Sequence, residues 1–196
     1  MKYVIGLTGP TGAGKTDACG VAKELGFFVI NCDIVARKAT EDKECLSALC
    51  TAFGDDILNS DNTLNRAALA KKAFSNKENT ELLNKTIFPF INKLIKLEIE
   101  NSKENKILLD APTLYEADAD RLCSAVCVIL SDKELRKKRI MLRDGISDDA
   151  AELRMSAGKS DEYYKAKTQN IIYNDSDIET LKDNFKNLLT KLTGGK

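Results

Sequence analysis

Short apolar runs and longer stretches with apolar residues every three or four positions alternate along most of this chain. Lys2 to Thr8 (KYVIGLT), rich in β-branched and aromatic residues, predicts a buried strand. A glycine-punctuated loop from Gly9 to Gly14 follows. A helical pattern then runs from Lys15 to Leu25, where Gly26 sits in the position of a C-terminal cap. Phe27-Phe28-Val29-Ile30 predicts a second buried strand, ending at Asn31-Cys32-Asp33. The opening therefore reads as strand, tight loop, helix, strand.

Residues 34–105 carry no strand pattern. Helical spacing predicts helices over 41–53, 66–74, 77–86 and 89–104, with a polar turn at Asn59-Ser60-Asp61-Asn62. Pro89 is expected in the first turn of its helix, where a missing N–H costs nothing. The stretch exceeds an ordinary crossover and reads as an inserted helical subdomain, 37–104. The alternation then resumes, with strands at 106–110 and 125–130 and a helix over 132–143 that Ser131 is expected to cap. A polar region over 144–160, a short helix, a last strand around 169–173 and a helix over 178–192 follow, then a loose tail, Gly194-Gly195-Lys196. The expected fold class is α/β: a five-stranded, mostly parallel sheet flanked by helices, with its core in 1–36 and 105–196.

At 196 residues and 43% apolar content the chain can bury a substantial core without staples. Thirty basic against thirty acidic residues argue against bulk nucleic-acid binding. No apolar run approaches the ~18 residues of a membrane span, and the N-terminus reads at once as a strand rather than a signal peptide. A soluble, cytoplasmic protein is expected. Histidine is absent, which removes Ser-His-Asp and Cys-His catalysis and leaves proton chemistry to carboxylates, lysines, tyrosines or cysteines. The six cysteines form no C-x-x-C pair and are expected as free thiols in a reducing compartment.

The stretch Gly9-Pro10-Thr11-Gly12-Ala13-Gly14-Lys15-Thr16 satisfies G-x-x-x-x-G-K-[ST], between a predicted strand and a predicted helix. Glycines there let backbone N–H groups turn inward around a phosphate, and the helix directs its positive end to the same place. Lys15 would reach the β- and γ-phosphates, and the Thr16 hydroxyl would ligate Mg²⁺. Asp33, at the end of the second strand, has two readings: a base for an attacking hydroxyl, or the N-cap of a helix over 34–39. Asp110, ending the strand ILLD, reads either as a carboxylate holding Mg²⁺ directly or through water, or as an ordinary strand-end residue. Arg136, Lys137, Lys138, Arg139 and Arg143 form either a solvated face or, through Arg139 and Arg143 at i,i+4, a source of guanidinium groups for a transferring phosphoryl group. The N-K-x-D signature of GTPases is missing.

These residues resemble the dephospho-CoA kinase family. Gly6-Leu7-Thr8-Gly9 leading into the P-loop is similar to its opening, and Val29-Ile30-Asn31-Cys32-Asp33-Ile34-Val35-Ala36-Arg37 to its V-I-D-A-D-x-x-A-R segment. Phe53-Gly54 with Leu64-Asn65-Arg66-Ala67-Ala68-Leu69, Leu109-Asp110-Ala111-Pro112-Thr113-Leu114-Tyr115-Glu116, the Arg139-x-x-x-Arg143 pair and Asn174 continue the resemblance in order. It implies a P-loop kinase with a helical substrate domain and a small lid at about 143–162. The implied reaction passes the γ-phosphate of ATP to the ribose 3′-hydroxyl of dephospho-CoA, the last step of CoA synthesis. The implied ATP-binding residues are Thr11, Gly12, Ala13, Gly14, Lys15, Thr16, Asp17 and Asn174, with Asn174 near the adenine. The acceptor would meet Thr8, Asp33, Arg37, Asp110, Leu114, Tyr115 and Glu116. Asp33 would be the base, Lys15, Arg139 and Arg143 would serve the phosphates, and Thr16 and Asp110 would hold Mg²⁺.

ATP and dephospho-CoA are the implied partners of a monomer or weak homo-oligomer, with no nucleic acid, membrane or protein partner. Four positions depart from the family pattern: Asn31 for the first aspartate of D-A-D, Phe88 where His precedes proline, Gly158 about where a lid glutamine is usual and, mildly, Tyr115 for phenylalanine. The alternatives are another small-molecule P-loop kinase and a non-catalytic ATP-gated regulatory protein. The tRNA isopentenyltransferases share the Gly-Pro-Thr opening but are longer and differ after the second strand.

Overall fold

The run Tyr3–Thr8 forms β1, buried from Val4 onward, as a strand covered on both faces must be. In this computed structural model, which describes residues 2–194, β1 is the middle of a five-stranded parallel sheet. Its companions are β2 (Phe28–Asn31), β3 (Lys106–Asp110), β4 (Ala125–Leu130) and β5 (Ile171–Tyr173), in the order β2-β3-β1-β4-β5. Ile5 pairs with Leu108 on one side and Ala125 on the other, and Val128 pairs with Ile171. This register brings the carboxyl ends of β1, β3, β4 and β5 to one edge, where ligands of open α/β sheets bind.

Two compact units divide the chain: Met1–Ile30 with Ser102–Lys196, and Asn31–Asn101. In the first, α1 (Lys15–Glu24) and α9 (Ile178–Leu192) pack together on the sheet. Ala18, Ala22, Leu181, Phe185 and Leu189 join Ile5, Leu7, Leu108, Cys127 and Ile129 in one core. Each large side chain so buried contributes about 1.5–3 kcal/mol. The same unit holds α6 (Lys133–Asp144), α7 (Asp148–Ser156) and α8 (Asp161–Lys165).

Two expectations in this unit are corrected. The polar region over 144–160 contains a helix, α7, capped by Ser147. Asp132, not Ser131, caps α6, accepting from the backbone N–H groups of Glu134 and Leu135 at 2.9 and 3.1 Å. The carboxylate wins because it offers a charged acceptor to the positive end of the helix. Residues 195 and 196 of the glycine tail lie outside those described.

The second unit is helical: α2 (Cys32–Ala39), α3 (Lys43–Phe53), α4 (Arg66–Ala73) and α5 (Lys77–Asn101). Its core joins Cys45, Leu49, Phe53, Ile57, Leu69 and Ala73, with Leu83, Ile87 and Phe90 of α5 packed against them. The polar turn at 59–62 closes on Thr63, whose N–H and hydroxyl both donate to Asp61. The two helices expected over 77–86 and 89–104 are one continuous α5, with Pro89 inside it. A proline there removes one backbone hydrogen bond and crowds the preceding turn, at a cost of about 3 kcal/mol. Pro89 and Lys85, whose carbonyl loses its partner, are both exposed, so water can replace the lost bond, while Leu83, Ile87, Phe90, Ile91 and Ile95 hold one face of the helix in the core.

Candidate active site

The loop after β1 owes its shape to backbone that only glycine adopts without strain. Gly14 precedes α1 at φ 103°, and a Cβ there would lie 2.3 Å from the side-chain nitrogen of Asn174. Gly12, at φ 78°, passes close under α6, where an added Cβ would come 2.8 Å from the carbonyl of Arg136. Lys15 lies back across the loop, its ammonium donating to the carbonyls of Gly9 at 2.7 Å and Pro10 at 3.1 Å. Thr11 is half-buried, Ala13 is buried, and Thr16 and Asp17 are exposed in the first turn of α1. A helix start, a cation and a glycine-shaped loop together offer an anion cradle.

Asp110 closes β3 opposite Leu7 of β1 and is half-buried. Cys19, one turn along α1 from Lys15, hydrogen-bonds to its carboxylate. Burial first, and then the Asp110 charge and that bond, push the thiol up to about 12. Among the described residues no group of three or more His, Cys, Asp or Glu side chains gathers as a metal cage. The Thr16 hydroxyl and the Asp110 carboxylate nevertheless fit Mg²⁺, which takes hard oxygen donors and draws most of its shell from water and nucleotide phosphate.

Beyond the loop, the side chain of Asn174 donates to the carbonyl of Ala13 at 2.8 Å. Its own carbonyl accepts from the Ser131 hydroxyl at 2.8 Å and from Arg139 at 3.1 Å, and Arg139 also donates to the Ser131 oxygen at 3.0 Å. Asn174 is thus buried and braces the P-loop through Ala13, in addition to the place near the adenine that the resemblance implies for it. Arg143 is exposed and bonds Asp144 through Nε at 2.7 Å and Nη2 at 2.9 Å. Arg154 of α7 joins the same carboxylate. These two arginines lower the Asp144 carboxyl below its ordinary value, the Arg143 hydrogen bond first.

Of the expected acceptor residues in this unit, Thr8 and Leu114 are fully buried. The Thr8 hydroxyl donates to the Pro112 carbonyl at 3.2 Å, and neither side chain presents surface to a ligand. Tyr115 and Glu116 are half-buried. Tyr115 meets Tyr163 edge-on at 6.1 Å between ring centroids, and the Lys167 ammonium lies 5.7 Å from both rings. Sequence reasoning missed Cys19 and Tyr163 and gave Ser131 a different task. Their partners lie far along the chain, and only the spacing of Cys19 four residues after Lys15 hinted at a shared helix face.

In the second unit, Asn31 caps α2 by accepting from the Ile34 N–H at 3.0 Å. The capping reading of Asp33 is thereby excluded. Its carboxylate is exposed in the first turn, where the helix dipole favours negative charge. Arg37 follows at i+4 and is also exposed.

A family model described as dephospho-CoA kinase matches residues 3–180. A dephospho-CoA kinase of Pseudoalteromonas translucida is 35% identical over 182 residues, 92% of this chain and 87% of that one. Another, of Idiomarina loihiensis, is 34% identical over 183 residues, covering 93% and 91%. Among solved structures, dephospho-CoA kinase from Campylobacter jejuni superposes with a TM-score of 0.71 at 28% identity, covering 100% of this chain and 99% of that one.

Proposed function

Because the chain belongs to the dephospho-CoA kinase family, we propose that it transfers the γ-phosphate of ATP to the ribose 3′-hydroxyl of dephospho-CoA, giving CoA and ADP. The observation that carries this reading is the glycine-shaped P-loop with Lys15 laid across it, in a chain that matches the family over 3–180.

In this reading the loop's N–H groups and the start of α1 bind the β-phosphate, and Lys15 leaves the carbonyls of Gly9 and Pro10 for phosphate oxygens. Thr11, Gly12, Ala13, Gly14, Thr16 and Asp17 line the nucleotide, and Asn174 keeps the loop in shape beside the adenine. Thr16 and Asp110 hold Mg²⁺, directly or through water; bound there, the ion neutralises charge on the phosphate oxygens. Asp33 accepts the proton of the 3′-hydroxyl as its oxygen attacks the γ-phosphorus and the bond to the β,γ-bridging oxygen breaks. Arg37, Tyr115 and Glu116 hold the acceptor.

Residues 143–162 act as the lid. Arg139 and Arg143 stabilise the transferring phosphoryl group, Arg143 by exchanging Asp144 for phosphate when the lid closes. The cytoplasm is the proposed setting, supported by six cysteines of which none is joined in a disulfide. Phosphorus NMR of a reaction with Mg-ATP and dephospho-CoA tests the reading. A new 3′-monoester resonance growing with ADP supports it, and ADP formed without that resonance overturns it.

A further inference from the structure

Ser131 has no work to do for the helix it precedes. Asp132 caps α6, and the Asp132 N–H is itself held by Asp175 at 2.7 Å. Yet Ser131 is buried, 2% exposed, and a buried hydroxyl is costly unless it is paired. It is paired in both directions: it donates to the Asn174 carbonyl at 2.8 Å and accepts from Arg139 at 3.0 Å. Arg139 adds its own bond to that carbonyl at 3.1 Å. The guanidinium thus rests on a two-oxygen seat built from the ends of β4 and β5, which leaves its remaining N–H donors for a ligand.

The seat continues into the phosphate loop. The Asn174 N–H donates to Leu130 at 2.8 Å, and its side chain donates to Ala13 at 2.8 Å. Arg139, Ser131, Asn174 and Ala13 therefore form one hydrogen-bonded line from a cation to the P-loop backbone. An arginine side chain has many rotamers, and ordering it at the moment of reaction costs entropy. A seat that orders it beforehand removes that cost.

We propose that Ser131 is a positioning residue: its hydroxyl fixes the Arg139 guanidinium in register with the P-loop, so that the arginine meets the transferring phosphoryl group already aligned. This rests on the reading of Arg139 as a phosphate ligand. The residue touches no substrate and acts only through Arg139.

The test is a double-mutant cycle on the full chain with Mg-ATP and dephospho-CoA. Ser131→Ala is expected to lower kcat about tenfold, with the KM for dephospho-CoA changed less than twofold. Ser131→Thr, which keeps the hydroxyl, should restore most of the rate, and Ser131→Ala added to Arg139→Ala should cost nothing further. A wild-type kcat in Ser131→Ala, or losses that multiply in the double variant, would overturn the proposal. Full turnover by Arg139→Ala would instead remove the phosphate role of Arg139 and this proposal with it. No CoA from the wild-type chain would remove the proposed function itself. If Ser131→Ala fails to fold, Ser131→Cys keeps the shape with a weak hydrogen-bonding sulfur and is read in the same way.

Discussion

Gly14 is constrained twice, by a left-handed backbone and by the amide of Asn174 lying where a side chain would begin. Gly14→Ala should abolish measurable nucleotide binding, read by titration calorimetry with ATP; retained affinity would mean that the loop can be shaped without the strut. Lys15→Ala should damage both binding and rate. Asp33→Asn should separate them, cutting turnover by ~10²-fold or more with ATP affinity nearly unchanged, because only the proton acceptor is lost. Normal turnover in that variant, measured at saturating substrates, removes Asp33 from the base role. The P-loop was legible because its chemistry is written in consecutive residues. Asp33 read as a cap because the helix was expected from residue 34; α2 begins at Cys32, so Asn31, a type that caps equally well, takes that place. The seat under Arg139 was illegible because Ser131 and Asn174 lie 43 residues apart.

At the scale of elements, the sequence places helices better than it joins them. Pro89 suggested a helix start, but tertiary burial of Leu83, Ile87, Phe90 and Ile91 carries α5 through it. Pro89→Ala should restore the missing backbone bond and relieve the crowded turn, stabilising the protein by about 1–3 kcal/mol. Urea denaturation checks this, and an unchanged midpoint would show that the helix pays nothing for its proline. Helix α7 escaped notice for a different reason. Ser147 and the acidic first turn are ordinary start signals, but Ala151 is its only buried residue and no apolar stripe marks it. Its ion pairs to α6, half-buried Lys137 with exposed Asp148 at 3.0 Å and exposed Lys133 with Glu152, each have a partner open to water and carry little energy. Asp148→Asn should therefore cost less than ~1 kcal/mol in the same assay.

The chain has no histidine, and its titration above neutral pH falls largely to buried and half-buried thiols and phenols. Burial pushes Cys19, Cys123 and Cys127 from 9.0 up to about 12, with Asp110 adding to the first and Asp120 to the second. Burial foremost also raises Tyr115 and Tyr164 from 10.0 to about 12. Above pH ~9 the unfolded chain gives up these protons while the folded one keeps them, so stability falls as pH rises. The contribution is complete below pH ~9 and lost towards pH ~12, and the urea midpoint should drop across that window. A flat midpoint there would show that these groups ionise freely in the folded state. The alternation of strands and helices foretold the sheet and its parallel sense, since crossovers leave few other choices. The order β2-β3-β1-β4-β5 was not legible, because apolar runs buried on both faces name no neighbours.

The most direct measurement is ADP release with Mg-ATP and dephospho-CoA, run beside adenosine, AMP, shikimate and pantetheine phosphate. Turnover with dephospho-CoA, at a kcat/KM at least ~10²-fold above every other acceptor, is the predicted result. Comparable or faster turnover with any of the others would contradict the account, as would clear ATP binding with no turnover at all.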